Sequence, residues 1–277
     1  MPEGPEIHRA AAQLRKALVG RTLLSVGGKH PAVAGRLDGW VGREVDAVEA
    51  RSKAMLIHVG EQVLYSHNQL YGRWTVNRAT TAPRNWKRSL RVELVNDQHA
   101  CRLWSASDVM LMDAWEVNGH PYIAQLGPDV ADLRTTVAEV RVHLEEARFQ
   151  RRGLAGLLLD QRFLAGVGNY LRSEILFFSG LRPEQRPKDL SEDEVALLAR
   201  QIREVTRRSY RTGGLTELPE EVREAKRLGE PRRSHRHAVF GRSGKPCRRC
   251  GARIRRSEVG TRRLYLCPLC QPLRRSS

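Results

Sequence analysis

Apolar residues recur at helical spacing from the start of the chain. Ile7, Ala10, Ala11, Leu14 and Leu18 fall on one face, Pro5 suits a first turn and Gly20 supplies a stop, which predicts a helix over 5–18. From there to about Leu126 the period shortens to two. Leu90, Val92 and Leu94 alternate with Arg91 and Glu93, and Met55 and Ile57 stand two apart. Val59-Gly60-Glu61 and Asn96-Asp97 are turn signals that break the strands apart. One helix followed by many strands fits a β-sandwich or barrel-like domain with a packed N-terminal helix. Gly127-Pro128-Asp129 marks a boundary, after which the helical period returns. Thr136-x-x-Glu139 and Ser191-x-x-Glu194 are capping-box patterns, and helices are predicted over 136–148, 153–160, 169–179 and 191–211. The stretch from Arg211 to Arg236 is polar, carries Gly213-Gly214, Pro219, Gly229 and Pro231, and reads as a mobile loop with a short helix at 219–227.

Cysteine spacing adds a third element. Cys247-x2-Cys250 and Cys267-x2-Cys270 are two knuckles sixteen residues apart, the pattern that places four thiolates around one tetrahedral Zn2+. Arg253-Ile254-Arg255 and Leu264-Tyr265-Leu266 have the alternation of the joining hairpin. Disulfides are the competing use of the same cysteines; without an export signal they are disfavoured. Four protein ligands leave no open coordination position, so one structural zinc per chain is expected, not a catalytic one. Cys101, in a strand-like HACRLW run, reads as a core residue.

Charge then narrows the partner. The 277 residues hold 48 Lys+Arg against 31 Asp+Glu, a formal net charge of +17. From Gly241 to Ser277 there are eleven Lys/Arg and a single acid, Glu258, so more than half of the excess sits in and around the cysteine knuckles. A polyanion is the expected partner. No apolar run approaches the roughly 18–20 residues that span a bilayer, and MPEGPEIHRA lacks a signal-peptide core, so membranes are excluded and a cytoplasmic, nucleoid-associated monomer is expected.

The chemistry-bearing residues are at the beginning. With Met1 removed, Pro2 presents a secondary amine, and an α-amino group has an ordinary pKa of about 8, so a useful neutral fraction exists near pH 7. Such an amine can attack a sugar C1′ and form an iminium, with the adjacent Glu3 placed as proton donor. On these two residues alone a simple helix start explains as much. The ordered set is more specific: MPEGPE, Lys53 in EARSKAM, SHNQLYGRW at 66–74, LLLDQRFLAGVGNYLRSEILF at 157–177, and the four-cysteine finger. Together these resemble the formamidopyrimidine-DNA glycosylase and endonuclease VIII family over the whole chain, closest to the endonuclease VIII branch.

That resemblance implies an α+β protein: a β-sandwich catalytic domain at 1–126, a helix–two-turn–helix domain at 127–236 and a zinc finger at 237–277, gripping damaged double-stranded DNA. It implies a bifunctional glycosylase and abasic-site lyase of base excision repair. Pro2 is then the Schiff-base nucleophile, Glu3 the proton donor for base loss, Lys53 the proton donor in β-elimination and Arg262 the phosphate-holding arginine of δ-elimination. Asn169 matches a phosphate-binding asparagine, with a plain helix N-cap as its other reading; Glu6 matches a family position, and Glu174 reads as a salt-bridge partner. Gln69, Leu70 and Tyr71 match the wedge that fills the gap left by a flipped base, which points to oxidised pyrimidines. The chain departs from the pattern at Gln125, where endonuclease VIII has arginine, and in a long, charged Arg211–Arg236 segment. Two alternatives stay open: an oxidised-purine glycosylase of the same family, and a non-catalytic zinc-ribbon nucleic-acid-binding protein.

Overall fold

A computed structural model describes residues 2–83 and 88–272. The chain divides into two compact units, Met1–Gln125 and Leu126–Ser277. In the first, helix α1 (Gly4–Leu18) buries Ile7, Ala11, Leu14 and Leu18, the face that the spacing predicted. Eight strands follow: β1 (Ser25–Gly27), β2 (Ala47–Arg51), β3 (Ala54–Val59), β4 (Gln62–His67), β5 (Arg73–Arg78), β6 (Leu90–Val95), β7 (His99–Trp104) and β8 (Asp108–Asp113). They form two four-stranded sheets, ordered β1-β6-β7-β5 and β2-β3-β4-β8, with every pairing antiparallel.

Alternation decides which side chains meet. Val92, Leu94, Cys101 and Leu103 from the first sheet share one core with Met55, Ile57 and Leu64 from the second and with Ile7 and Leu14 of α1. Full burial of each such aliphatic side chain stabilises by about 1.5–3 kcal/mol. Cys101 is a core residue as read, and burial pushes its thiol up to about 12. The second sheet is also covered on its other face, where Leu56, Val63 and Tyr65 pack with Val117 and Ile123. Gly60 takes φ +56° in the two-residue β3–β4 turn. Asn96 closes the β6–β7 turn, accepting from the Gln98 and His99 N–H groups while its amide donates to Ala17 O at the end of α1.

The second unit holds α2 (Val137–Glu145), α3 (Leu154–Leu157), α4 (Asn169–Phe178), α5 (Glu192–Thr212), α6 (Pro219–Arg227) and the hairpin β9 (Arg255–Val259) and β10 (Arg262–Leu266). Thr136 and Ser191 cap α2 and α5 with Glu139 and Glu194, as the motifs predicted. Two predicted helices are shorter than expected. The chain leaves α2 at Glu146 so that Phe149 can turn inward against Phe163, ring centroids 4.9 Å apart. Past α3, Asp160 competes with helix: its carboxylate accepts from Arg162 N–H and its carbonyl from Phe163 N–H, giving successive turns before α4. The hairpin also begins later than the sequence suggested, since Arg253 makes only an isolated bridge to Pro246. Leu264, Leu266, Cys247 and Cys267 belong to the same core as Leu171, Ile175, Leu198 and Ile202, so the finger and the helices share one interior.

Candidate active site and nucleic-acid interface

Glu3 is the N-cap of α1 and is 1% exposed, whereas Pro2 beside it is half-buried. The Glu6 carboxylate accepts from the Glu3 N–H at 3.0 Å, which satisfies a first-turn donor and places negative charge at the positive end of the helix. The β2–β3 turn presents Ser52 and Lys53. Ser52 sits at φ +60°, its hydroxyl lies 3.0 Å from Tyr122 Oη, and Lys53 N–H donates to the same oxygen at 3.3 Å. Tyr122 meets the His67 ring edge-on with centroids 5.1 Å apart. Burial pulls His67 below the ordinary imidazole range, and the charge of Lys53 acts in the same direction, against Asp108. The Lys53 turn and the end of β4 are therefore electrostatic neighbours.

From that end of β4 the chain makes a single tight turn. Gly72 N–H donates to Asn68 O at 2.6 Å, and a Cβ on Gly72 would stand 2.6 Å from Asn68 backbone atoms, so only glycine closes the loop. Gln69 takes φ +48° and donates its N–H to His67 Nδ1 at 3.1 Å. The result pushes Leu70 and Tyr71 outward, 61% and 71% exposed. Ordinary sheet packing does not account for two large apolar side chains held out by a strained turn.

In the second unit Asn169 is the first residue of α4; the N-cap is Gly168. The asparagine side chain instead accepts from Arg172 Nη2 at 3.0 Å, a nitrogen that also donates to Arg263 O at 3.0 Å. Arg172 is fully buried and donates through Nη1 to Ala155 O, so one guanidinium ties the start of α4 to the hairpin residue next to Arg262. Arg262 begins β10 opposite Val259, next to the Gly260–Thr261 turn, and is exposed.

The Sγ atoms of Cys247, Cys250, Cys267 and Cys270 lie within 4.8 Å of one another, and all are free thiols. Distances of 3.9 Å for Cys247–Cys270, 3.4 Å for Cys250–Cys267 and 3.5 Å for Cys250–Cys270 compare with the ~3.8 Å edge of a tetrahedron built on Zn–S bonds of ~2.3 Å. The donor set fits zinc in both chemistry and spacing.

Some of the finger's charge is already engaged within the fold. Arg248 bonds Glu217 at 2.9 Å and Ser234 O at 3.0 Å, and Arg249 lies over the rings of Phe177 and Phe178. Arg255, Arg256, Arg262 and Arg263 remain exposed on the hairpin. Glu174, read from sequence as a salt-bridge partner, is instead a fully buried carboxylate that accepts four hydrogen bonds. They come from Thr216 Oγ1 (2.6 Å) and the N–H groups of Ala238, Val239 and Phe240 (2.8–2.9 Å). It thereby clamps both ends of the polar 211–236 segment, whose predicted helix is α6. Sequence reasoning did not single out Tyr122, Arg172 or this clamp. Nothing in HPYIAQ marks a tyrosine for Lys53, and a buried arginine or glutamate looks like any other charged helix residue.

Fold and site together define a DNA-repair class. Residues 1–107 match the formamidopyrimidine-DNA glycosylase N-terminal domain, 126–218 its helix–two-turn–helix domain and 244–273 the zinc finger found in that glycosylase and in isoleucyl-tRNA synthetase. The chain belongs to the formamidopyrimidine-DNA glycosylase family. Within it, the chain is 42% identical to Endonuclease 8 of Enterobacter sp. (strain 638) and of Escherichia coli (strain K12 / DH10B), over 98% of this chain and all of each relative. The fold matches Lactococcus lactis Fpg solved with DNA containing an abasic site, at TM-score 0.79 and 22% identity over 98% of this chain and all of that one. A complex of the same glycosylase with DNA containing N7-benzyl-Fapy-dG matches at TM-score 0.78 and 23% identity, covering 98% and 99%.

Proposed function

We propose that this chain is a bifunctional DNA glycosylase and abasic-site lyase that removes oxidised pyrimidines from double-stranded DNA. The observation that carries the reading is the pairing of Pro2 with the adjacent buried carboxyl of Glu3 at the cap of α1. Once Met1 is removed, the Pro2 nitrogen gives its lone pair to C1′ of the damaged nucleotide. The glycosidic bond breaks as Glu3 supplies the proton that lets the base leave. The Pro2 nitrogen then gives up its own proton, and as its lone pair forms the C1′ iminium the C1′–O4′ ring bond opens with O4′ taking a proton. The resulting iminium acidifies the neighbouring C2′–H, and loss of that proton expels the 3′ phosphate by β-elimination, with Lys53 as proton donor. Arg262 holds the phosphate and assists δ-elimination; Asn169, at a helix start, donates to a second phosphate.

The 1–126 part carries the reaction, while 127–236 and 237–277 hold the duplex as a monomeric enzyme. Cys247, Cys250, Cys267 and Cys270 hold one zinc ion, which fixes the finger without taking part in a step. Gln69, Leu70 and Tyr71 fill the stack where the base has left, and the full-length likeness to Endonuclease 8 supports the pyrimidine branch. None of the helices among the described residues is long and apolar enough to cross a membrane; nucleoid association is proposed on the DNA-repair reading alone.

Borohydride trapping tests the assignment. Processed protein should form a covalent adduct with duplex DNA carrying an oxidised pyrimidine. A version with the N-terminus extended, whose Pro2 nitrogen is an amide, should bind that DNA and form none. Normal adduct yield from the extended protein would remove Pro2 from the mechanism.

A further inference from the structure

The edge of the second sheet bears a surface that the proposed reaction does not use. Strand β8 is the outermost strand of its sheet. Ala114 N–H reaches Glu61 O on the β4 side, while Asp113 N–H turns away to the Glu116 carboxylate. By the alternation of an antiparallel ladder, the backbone groups of Val109 and Leu111 also face outward. Among the described residues neither meets another part of the chain on that side.

Beside this edge lies a pocket of about 460 Å3 lined by Met110, Met112, Trp115, Glu116, His120 and Pro121. Trp115 is 79% exposed and Met110 43%. The tryptophans at 40, 74 and 104 are buried with their indole N–H groups bonded to Gln62, Ser66 and Thr75. The pocket's own stretch is acidic in an otherwise basic protein: no Lys or Arg occurs between Arg102 and Arg134, and Asp113 and Glu116 are exposed, while the nearby Arg43 guanidinium stands against the Gly60 turn beside Glu61. Nucleic-acid phosphate would be repelled here. A second copy is also disfavoured, because it would present the same acidic rim and no cation between Arg102 and Arg134 to set against Asp113 and Glu116.

We propose that β8 and the Trp115 pocket dock an extended, lysine- or arginine-bearing segment of a partner protein. The segment adds as a strand to the open edge, seats one apolar side chain against Trp115 and Met110, and sets its cations against Asp113 and Glu116.

The test titrates full-length protein into a fluorescein-labelled octapeptide of alternating lysine and leucine, and into the same peptide with glutamate for lysine, reading anisotropy. The lysine peptide should bind saturably and the glutamate peptide should not. Trp115→Ala and Met110→Lys should each weaken the complex at least tenfold, with excision activity and urea midpoint unchanged; two exposed positions keep the test usable should one variant fold poorly. Absence of saturable binding, equal binding of the two peptides, or indifference to both substitutions would overturn the proposal. A concentration-dependent dimer in sedimentation that Trp115→Ala abolishes would also overturn it, by assigning the face to a second copy.

Discussion

Replacing Leu70 and Tyr71 together by alanine separates wedge from packing. The two side chains are 61% and 71% exposed and held out by the Asn68–Gly72 turn, so their loss leaves the core intact. Folding stability should move by no more than about 0.5 kcal/mol. Extruding a paired base from duplex DNA costs a few kcal/mol, and stacking of an aromatic side chain on a base returns about 1–3 kcal/mol. At about 1.4 kcal/mol per tenfold in rate, duplex excision should fall roughly 5- to 150-fold. The same lesion in single-stranded DNA has little stack to break, so its excision should fall far less. The assay is single-turnover excision of one oxidised pyrimidine in both contexts, with urea unfolding as the control. Equal loss on the two substrates, or an unfolding midpoint that drops with activity, would refute the wedge and weaken the pyrimidine assignment.

Glu3→Gln should abolish base excision and leave appreciable lyase activity on a preformed abasic site, because that substrate needs no proton donor for base loss; product gels on both substrates decide it, and parallel loss counts against the split. Glu174→Gln leaves a buried N–H facing an amide NH2 in place of a carboxylate oxygen, so it should destabilise by about 2–5 kcal/mol and speed hydrogen exchange at 238–240; wild-type stability would dismiss the clamp. His237, bonded to Thr216 and stacked on Tyr170, is pulled by burial to about 3. Below about pH 6.5 the unfolded chain takes up a proton that the folded chain refuses, so this group lowers stability by ~1.4 kcal/mol per pH unit down to pH about 3. Urea unfolding of wild type and His237→Gln at pH 7.5 and 4.5 should show a shallower acid loss in the variant. Zinc analysis should find one ion per chain; Cys250→Ser should lose it and, because Leu264 and Cys267 share the helical core, destabilise residues well beyond the hairpin. A metal-free active protein would contradict that.

What could be read from sequence was local. Helix α1, the alternation of β6, the caps Thr136 and Ser191 and the paired cysteine knuckles each depend on residues a few positions apart, and the structure carries all of them. Errors began where a short-range competitor was overlooked. Asp160 ended α3 after one turn through its own side-chain and backbone bonds, and Phe149 pulled the chain out of α2 to reach Phe163. Both signals were present, but a periodicity reading weights apolar spacing over the turn chemistry of one residue.

Long-range polar contacts were illegible for a different reason. Glu174 lies 42 residues from Thr216 and 64 from Ala238, and Arg172 lies 91 from Arg263, so no spacing rule connects them. The same distance effect explains why charge counting overstated the finger. Eleven cations mark the C-terminal stretch as polyanion-binding, yet Arg248 is held by Glu217 and Arg249 by two phenylalanine rings, contacts that arise only after the fold forms. Those two arginines brace the finger against the 211–236 segment and α4, and this bracing sets where the exposed Arg262 stands. Neutralising Arg248 should therefore weaken DNA binding through position, with the log–log salt slope nearly unchanged, whereas Arg262→Ala should lower that slope by about one unit. Equal slope changes in the two variants would mean that Arg248 contacts phosphate directly, and that the division between bracing and binding arginines is wrong.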